Sequence, residues 1–262
     1  MNQTELHDIY DAIAEKGFSE ETLAKIDKLS NDIENGRANF SRYTLPEHAG
    51  VCTAGTVFIG ATIIADYARE SLTAGSNATG SPGESPAPAN WQIDERQEQL
   101  IEQWARAARL WVDDSESILT RTYGPKIAQG AEAKVYYRTG DTSVVKERTS
   151  IYSTTQKALE AIALHNYLFP ETAMHVTGFT RDRDNLMRII LTQPYVCCQR
   201  LATKEEIDEM VMAKGFRDNR NGEGINYISD RMALEDMHPA NVFIDDLTSQ
   251  PICIDCIVKF MN

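Results

Sequence analysis

Asp236, Asn241 and Asp255 are the residues of this chain whose types and spacing suit a chemical step. They lie within Leu234-Glu235-Asp236-Met237-His238-Pro239-Ala240-Asn241-Val242-Phe243 and Ile252-Cys253-Ile254-Asp255. An aspartate, an asparagine five positions on and a second aspartate beyond a short apolar run match what phosphoryl transfer to a hydroxyl needs. One carboxylate accepts the hydroxyl proton, while the amide oxygen and the other carboxylate hold Mg²⁺ against the phosphates. A surface hairpin with scattered acids would carry the same letters, so the trio needs support from elsewhere in the chain.

Bringing these groups together requires particular elements. Val242 to Ile244 and Pro251 to Ile254 read as two short strands joined by Asp245-Asp246-Leu247-Thr248-Ser249, a hairpin that carries Asn241 and Asp255 to the same end. Upstream, Ile127 to Tyr137 reads as strand, tight turn at Gly130, strand, and Thr142 to Lys146 is a β-branched run ending in lysine. That is the order of a loop whose backbone approaches phosphates at Gly130, followed by a lysine, Lys146, that holds the α/β-phosphates. The loop has one glycine where such loops have three, and an ordinary β-hairpin is its alternative.

Thr154 to Tyr167 has helical spacing, with Leu159, Ile162, Ala163 and Tyr167 on one side. Glu160, near its start, is expected to pair with Lys146 and hold it in place. Glu147 belongs on the opposite face of the lysine strand, and Glu171, after Pro170, belongs past the helix. Leu186 to Thr192 is a strand running into Gln193-Pro194-Tyr195-Val196. By its place in this order of elements, which resembles that of a protein kinase, the segment is where an adenine is expected to bond backbone groups of about Gln193 and Tyr195, with Thr192 at the back of the pocket.

With these elements in this order, Gly130 to Ile257 resembles a protein kinase-like domain in a very short form. More narrowly, the chain from about 95 to 262 looks like the kinase domain of the polyvalent proteins of bacterial mobile elements and phages. The residues behind this are Gln97-Glu98-Gln99-Leu100-Ile101-Glu102-Gln103-Trp104-Ala105, Trp111-Val112-Asp113-Asp114, Gly130-Ala131-Glu132-Ala133-Lys134-Val135-Tyr136, and the ending soon after Asp255. The resemblance implies an α+β, kinase-like fold with a small antiparallel-sheet N-lobe and a truncated C-lobe. It also implies ATP and Mg²⁺ as cofactors and a serine/threonine/tyrosine kinase activity.

Three departures qualify the resemblance. Leu234-Glu235 stand where kinases carry His-Arg before the catalytic aspartate, and Cys256-Ile257 stand where Phe-Gly follows the metal aspartate. The sequence also ends at Asn262, seven residues past Asp255, too few for an activation segment. A constitutive small kinase, a small-molecule phosphotransferase and a nucleotide-binding pseudokinase serving as an interaction module all fit, as does a scaffold whose motifs are coincidental. The phosphate acceptor is a protein or a small molecule.

The 262 residues carry a net charge of −13, which argues against a nucleic-acid footprint or attraction to anionic membranes. Nucleotide binding must then draw on local cations, Lys146 and Lys134 among them. Five cysteines (Cys52, Cys197, Cys198, Cys253 and Cys256) and no signal-like start favour a reducing cytoplasm. Cys253 and Cys256 form a C-x-x-C, but on a strand they would face opposite sides, with Cys253 packed in the core. No second Cys or His pair accompanies them, and His7, His48, His165 and His175 show no ligand spacing. His238 either contacts the transferring phosphate or shapes its loop.

The organisation divides into a helical N-terminal region (1–73), a linker (74–92) rich in Gly, Ser, Pro and Ala, and the kinase-like part (93–262). Residues 4–36 read as two helices, the second capped at Ser19, and 37–48 as a polar connection. The apolar run 49–65 is short for a membrane span and reads as a buried helix, so no membrane association is expected. Recognition of a partner, packing on the kinase-like part and self-association are all open roles for the N-terminal helices. A helix is expected over 93–111, with Trp104 and Trp111 on its apolar face, and another over 204–220 before the loop 219–224.

Overall fold

A computed structural model describes residues 3–38, 54–77, 89–130, 132–149, 154–219 and 225–261. Residues 39–48 of the expected connection 37–48, the start of the apolar run, most of the linker, Ala131 and residues 220–224 of the expected loop 219–224 lie outside these residues.

Four helices come first: α1 (Gln3–Lys16), α2 (Glu20–Glu34), α3 (Thr56–Asn77) and α4 (Asn90–Ala107). Ser19 starts α2 as expected, its hydroxyl accepting from Thr22 N at 3.3 Å. The apolar run became the buried helix α3, with Ile59, Ile63 and Ile64 fully covered. Among the described residues no helix is long and apolar enough to cross a membrane. Polar ties cross these helices where burial demands a partner: Tyr10 Oη donates to Asp66 Oδ2 at 2.6 Å, and Gln97 Nε2 to Ala65 O at 2.9 Å.

Next come α5 (Ser115–Tyr123) and a five-stranded antiparallel sheet in the order β1-β2-β3-β5-β4. Its strands are β1 (Lys126–Gln129), β2 (Ala133–Tyr136), β3 (Ser143–Thr149), β4 (His175–Arg181) and β5 (Met187–Pro194). Helix α6 (Thr155–Leu168) follows β3. Its first turn is tied to α4, where Asp94 Oδ1 accepts from Thr155 N at 2.6 Å and Gln97 Oε1 from Gln156 N at 3.1 Å. One hydrophobic cluster joins Phe58, Ile59 and Ile63 of α3, Ile101 and Trp104 of α4, Leu159 and Ile162 of α6, and Phe179 and Ile189 of the sheet. Helices α3 and α4 therefore pack directly on α6 and on β4.

The sequence placed Trp111 on the face of α4, but the helix stops at Ala107 and the chain turns to run beside β4. Val112 N donates to Phe179 O at 2.9 Å and Phe179 N to Leu110 O at 3.0 Å. Gly178 admits this strap, because a Cβ there would lie 2.6 Å from Leu110 O. Trp104 stays in the core, and Trp111 lies under the Arg106 guanidinium at 4.7 Å.

The remainder is small strands around α7 (Lys204–Ala213). One sheet is β11-β10-β6, from β6 (Cys198–Leu201), β10 (Val242–Asp245) and β11 (Pro251–Cys253). The other is β12-β9-β8-β7, from β7 (Arg217–Asp218), β8 (Ile225–Ile228), β9 (Met232–Glu235) and β12 (Ile257–Phe260). The helix expected over 204–220 ends at Ala213, since Gly215 takes a positive φ of 86° and breaks it. The chain is thus α+β with antiparallel sheets preceded by helices.

Candidate functional site

The expected hairpin forms with Val242 opposite Cys253 and Phe243 opposite Ile252, so Asn241 and Asp255 leave its open end together. Ile254 N donates to Asn241 O at 2.9 Å and closes that end. Asp236 follows β9 directly, with the left-handed φ of 60° that turns its side chain off the strand line. Its carboxylate accepts from Asn241 Nδ2 at 2.8 Å and stands 3.1 Å from His238 Nε2. The Asn241 nitrogen is thus committed to Asp236, and its oxygen is the atom a cation would take.

Across from this hairpin stands β3. Strand alternation sends Val144, Lys146 and Arg148 to one face and Val145 and Glu147 to the other. Lys146, 4% exposed, reaches Ile254 O at 3.0 Å and Asp255 Oδ2 at 3.5 Å. Burial lowers its pKa, against the pull of Asp255. Burial also pushes the Asp255 carboxyl up, but the charges of Lys146 and Arg148 outweigh it and hold the pKa down at about 2.

Lys146, Asp236, Asn241, Asp255 and Gly130 line one cavity of about 480 Å³. The same cavity has an apolar slot lined by Ile127, Val135, Val144, Val196 and Phe243. Among the described residues, a Cβ added at Gly130 would meet no atom within 4 Å. The donor set of one buried ammonium, one amide oxygen and acidic oxygens suits a polyphosphate with a hard divalent cation, and the residues present fit that group.

Several expectations fail, each for a stated reason. Glu160 pairs with Lys157 at 2.8 Å and does not meet Lys146, because α6 presents Ala158, Leu159 and Ile162 to the sheet and Glu160 lies off that face. The lysine's carboxylate partner is Asp255 instead. Thr192 is not part of the cavity. In the β3–β5 register Val144 faces Gln193 and Val145 faces Thr192, so Gln193 is the residue that shares the cavity side with Lys146. Gln193 Nε2 donates to Thr172 O at 2.8 Å and to Ile254 O at 3.0 Å, forming the back wall.

Tyr195 lines the cavity, but its N–H is spent on Thr142 O at 2.9 Å, so only its other groups face a ligand. Its ring stacks on Tyr137 with centroids 4.2 Å apart. Lys134 points away as well, to Glu147 Oε1 at 3.1 Å on the far face, where Glu147 also accepts from Ser115 Oγ and Tyr136 Oη. Glu147 occupies the expected opposite face.

Two residues of the site escaped the sequence reading. Arg148 lies two positions beyond Lys146 on the same face; its guanidinium stands 3.4 Å from Asp255 Oδ1 and 3.5 Å from Glu132 Oε2. Glu132, at the cavity wall beside the Gly130 turn, has its pKa raised by burial and by Asp255 and Asp236, with Arg148 opposing. Period-two alternation alone would have found Arg148.

Behind Asp255 the strand assumption for the C-x-x-C also fails. β11 ends at Cys253 and β12 begins at Ile257, so the irregular step between them lets both thiols turn toward the buried His165 of α6. Cys256 Sγ stands 3.5 Å from His165 Nδ1. Burial takes the His165 pKa down to about 3, so the ring is neutral at physiological pH. Cys253 is in the core, as expected.

A comparison with curated proteins finds no match. Residues 94–262, well over half of the chain, match the family model described as a serine/threonine/tyrosine kinase found in polyvalent proteins. The match begins in α4 and spans every residue of the cavity described above. The chain belongs to the kinase family of polyvalent proteins.

Proposed function

We propose that the chain is a minimal ATP- and Mg²⁺-dependent phosphotransferase that moves the γ-phosphoryl group to a hydroxyl. The five-stranded sheet and α6 act as a small upper lobe, and the hairpin β10–β11 with its neighbours acts as a reduced lower one. One observation carries this reading: Lys146 from β3 and Asp236, Asn241 and Asp255 from the other side converge on a single cavity beside Gly130.

In this reading the apolar slot takes the adenine, with Gln193 closing its back. Lys146 neutralises the α/β-phosphates, and Gly130 lets the loop backbone come close to them. Asn241 and Asp255 hold Mg²⁺, which when bound offsets phosphate charge. Asp236 accepts the proton of the attacking hydroxyl as the new O–P bond forms and the bridging bond to ADP breaks. Arg148 adds a second cation beside Asp255, where the α6 glutamate is not in reach. The acceptor is a protein or small-molecule alcohol, and the acidic surface disfavours nucleic acid as a partner.

A second reading, a nucleotide-binding pseudokinase, is favoured by the ion pairs themselves. Both Asp255 oxygens face cations, Oδ2 facing Lys146 and Oδ1 facing Arg148, which competes with metal. Transfer of labelled γ-phosphate by the parent and by Asp236→Ala separates the two. The phosphotransferase reading expects at least a ~100-fold loss in the variant. No transfer by the parent to water or to any protein or alcohol offered, with nucleotide binding intact, would favour the pseudokinase.

A further inference from the structure

We propose that His165, Cys253 and Cys256 form a buried site for a thiophilic cation, Zn²⁺, distinct in chemistry from the oxygen-lined cavity. Their ligand atoms all lie within 4.8 Å of one another, and all three residues are buried. Donors around a tetrahedral Zn²⁺ with Zn–S bonds of ~2.3 Å stand roughly 3.7 Å apart, so a small inward shift completes the set. The three come from two places far apart in sequence, one on α6 and two flanking Asp255.

The surroundings are those of a ligating histidine. His165 Nε2 faces Thr172 O at 3.3 Å, which fixes the proton on that nitrogen and aims the Nδ1 lone pair at Cys256 Sγ, 3.5 Å away. Thr172 Oγ1 donates to Cys253 O at 2.6 Å, so one residue orients both sides of the site. A further soft donor is at hand, since Met237 Sδ lies 3.9 Å from Cys253 Sγ. Two thiols release two protons as two Zn–S bonds form, and the resulting pair of thiolates balances the dication, so no net charge is buried. Mg²⁺, a hard cation, would not be held by this set. The ion would staple α6 to the segment that carries Asp255.

The test uses the full chain, expressed with zinc and without a histidine tag, and reads metal rather than activity, so it is independent of the phosphotransferase reading. About one zinc per chain is expected, together with thiolate-to-cobalt absorption when Co²⁺ replaces it. Cys256→Ser and His165→Gln, checked for folding by circular dichroism, should bind at least ~10-fold more weakly. Cys197→Ser/Cys198→Ser should keep the metal. Absence of metal and of a cobalt spectrum in the folded parent, unchanged metal in either folded single variant, a Cys253–Cys256 disulfide in the protein as isolated, or retention of Cu⁺ alone would each overturn the proposal. If both variants fail to fold, the parent's metal content and cobalt spectrum still decide it.

Discussion

Lys146 Nζ stands 3.5 Å from Asp255 Oδ2, and both groups face the same cavity. The strand lysine is therefore held by Asp255, the aspartate proposed to bind metal, rather than by a helix glutamate.

Glu160→Ala should leave nucleotide binding and phosphoryl transfer within about twofold of the parent, because it removes only a partly exposed pair with Lys157. Lys146→Met should reduce transfer by two orders of magnitude or more, roughly the weight of a lost transition-state charge contact. Steady-state rates at saturating ATP make the comparison. Equal losses in the two variants would restore the glutamate pairing that the sequence suggested.

The back wall offers a second comparison. Gln193→Ala strips donors from Thr172 O and Ile254 O and should lower stability by about 1–3 kcal/mol while weakening ATP binding. Thr192→Val, on the other face of β5, should leave ATP affinity unchanged. Calorimetric titration of both variants checks this, and loss of affinity confined to the Thr192 variant would contradict the register.

Asp255 has a pKa held near 2 in the folded chain against an ordinary 3.8. A depressed carboxyl stabilises the fold above its unfolded pKa, and that contribution drains away as pH falls through the folded value. It should be worth about 2 kcal/mol at pH 6 and roughly half of that at pH 3. Urea unfolding of the parent and Asp255→Asn at the two pH values measures it. A stability gap that widens on acidification would show the sign to be wrong.

Gly60 of α3 is where the Trp104 ring packs, and a Cβ there would lie 2.8 Å from the ring's Cζ2. Gly60→Val should overpack this junction between α3 and α4 and cost about 1–3 kcal/mol, seen as a lower melting temperature. A melting temperature at or above the parent's would mean the ring can yield.

Local pattern carried much of this site. The Asp236–Asn241 spacing, the hairpin that presents Asp255, the lysine strand and the helix after it were all legible, because alternation and turn chemistry act over a few residues. What was missed depended on register or on distant partners. Thr192 and Gln193 differ by one position, and only the pairing of β5 with β3 decides which faces inward. Glu160 was in the right helix but on the wrong side of it, since the roll of α6 is set by Asp94 and Gln97 of α4. The grouping of His165 with Cys253 and Cys256 spans most of a hundred residues and rests on a break between β11 and β12 that no periodicity announces.

Titration of ATP into the parent and into Asp255→Asn, each with and without Mg²⁺, reads whether these side chains bind a nucleotide's phosphates together with magnesium. Mg²⁺ should tighten ATP binding at least ~10-fold in the parent and have little effect in Asp255→Asn. Binding that is absent from the parent, or equally magnesium-dependent in the variant, would contradict this.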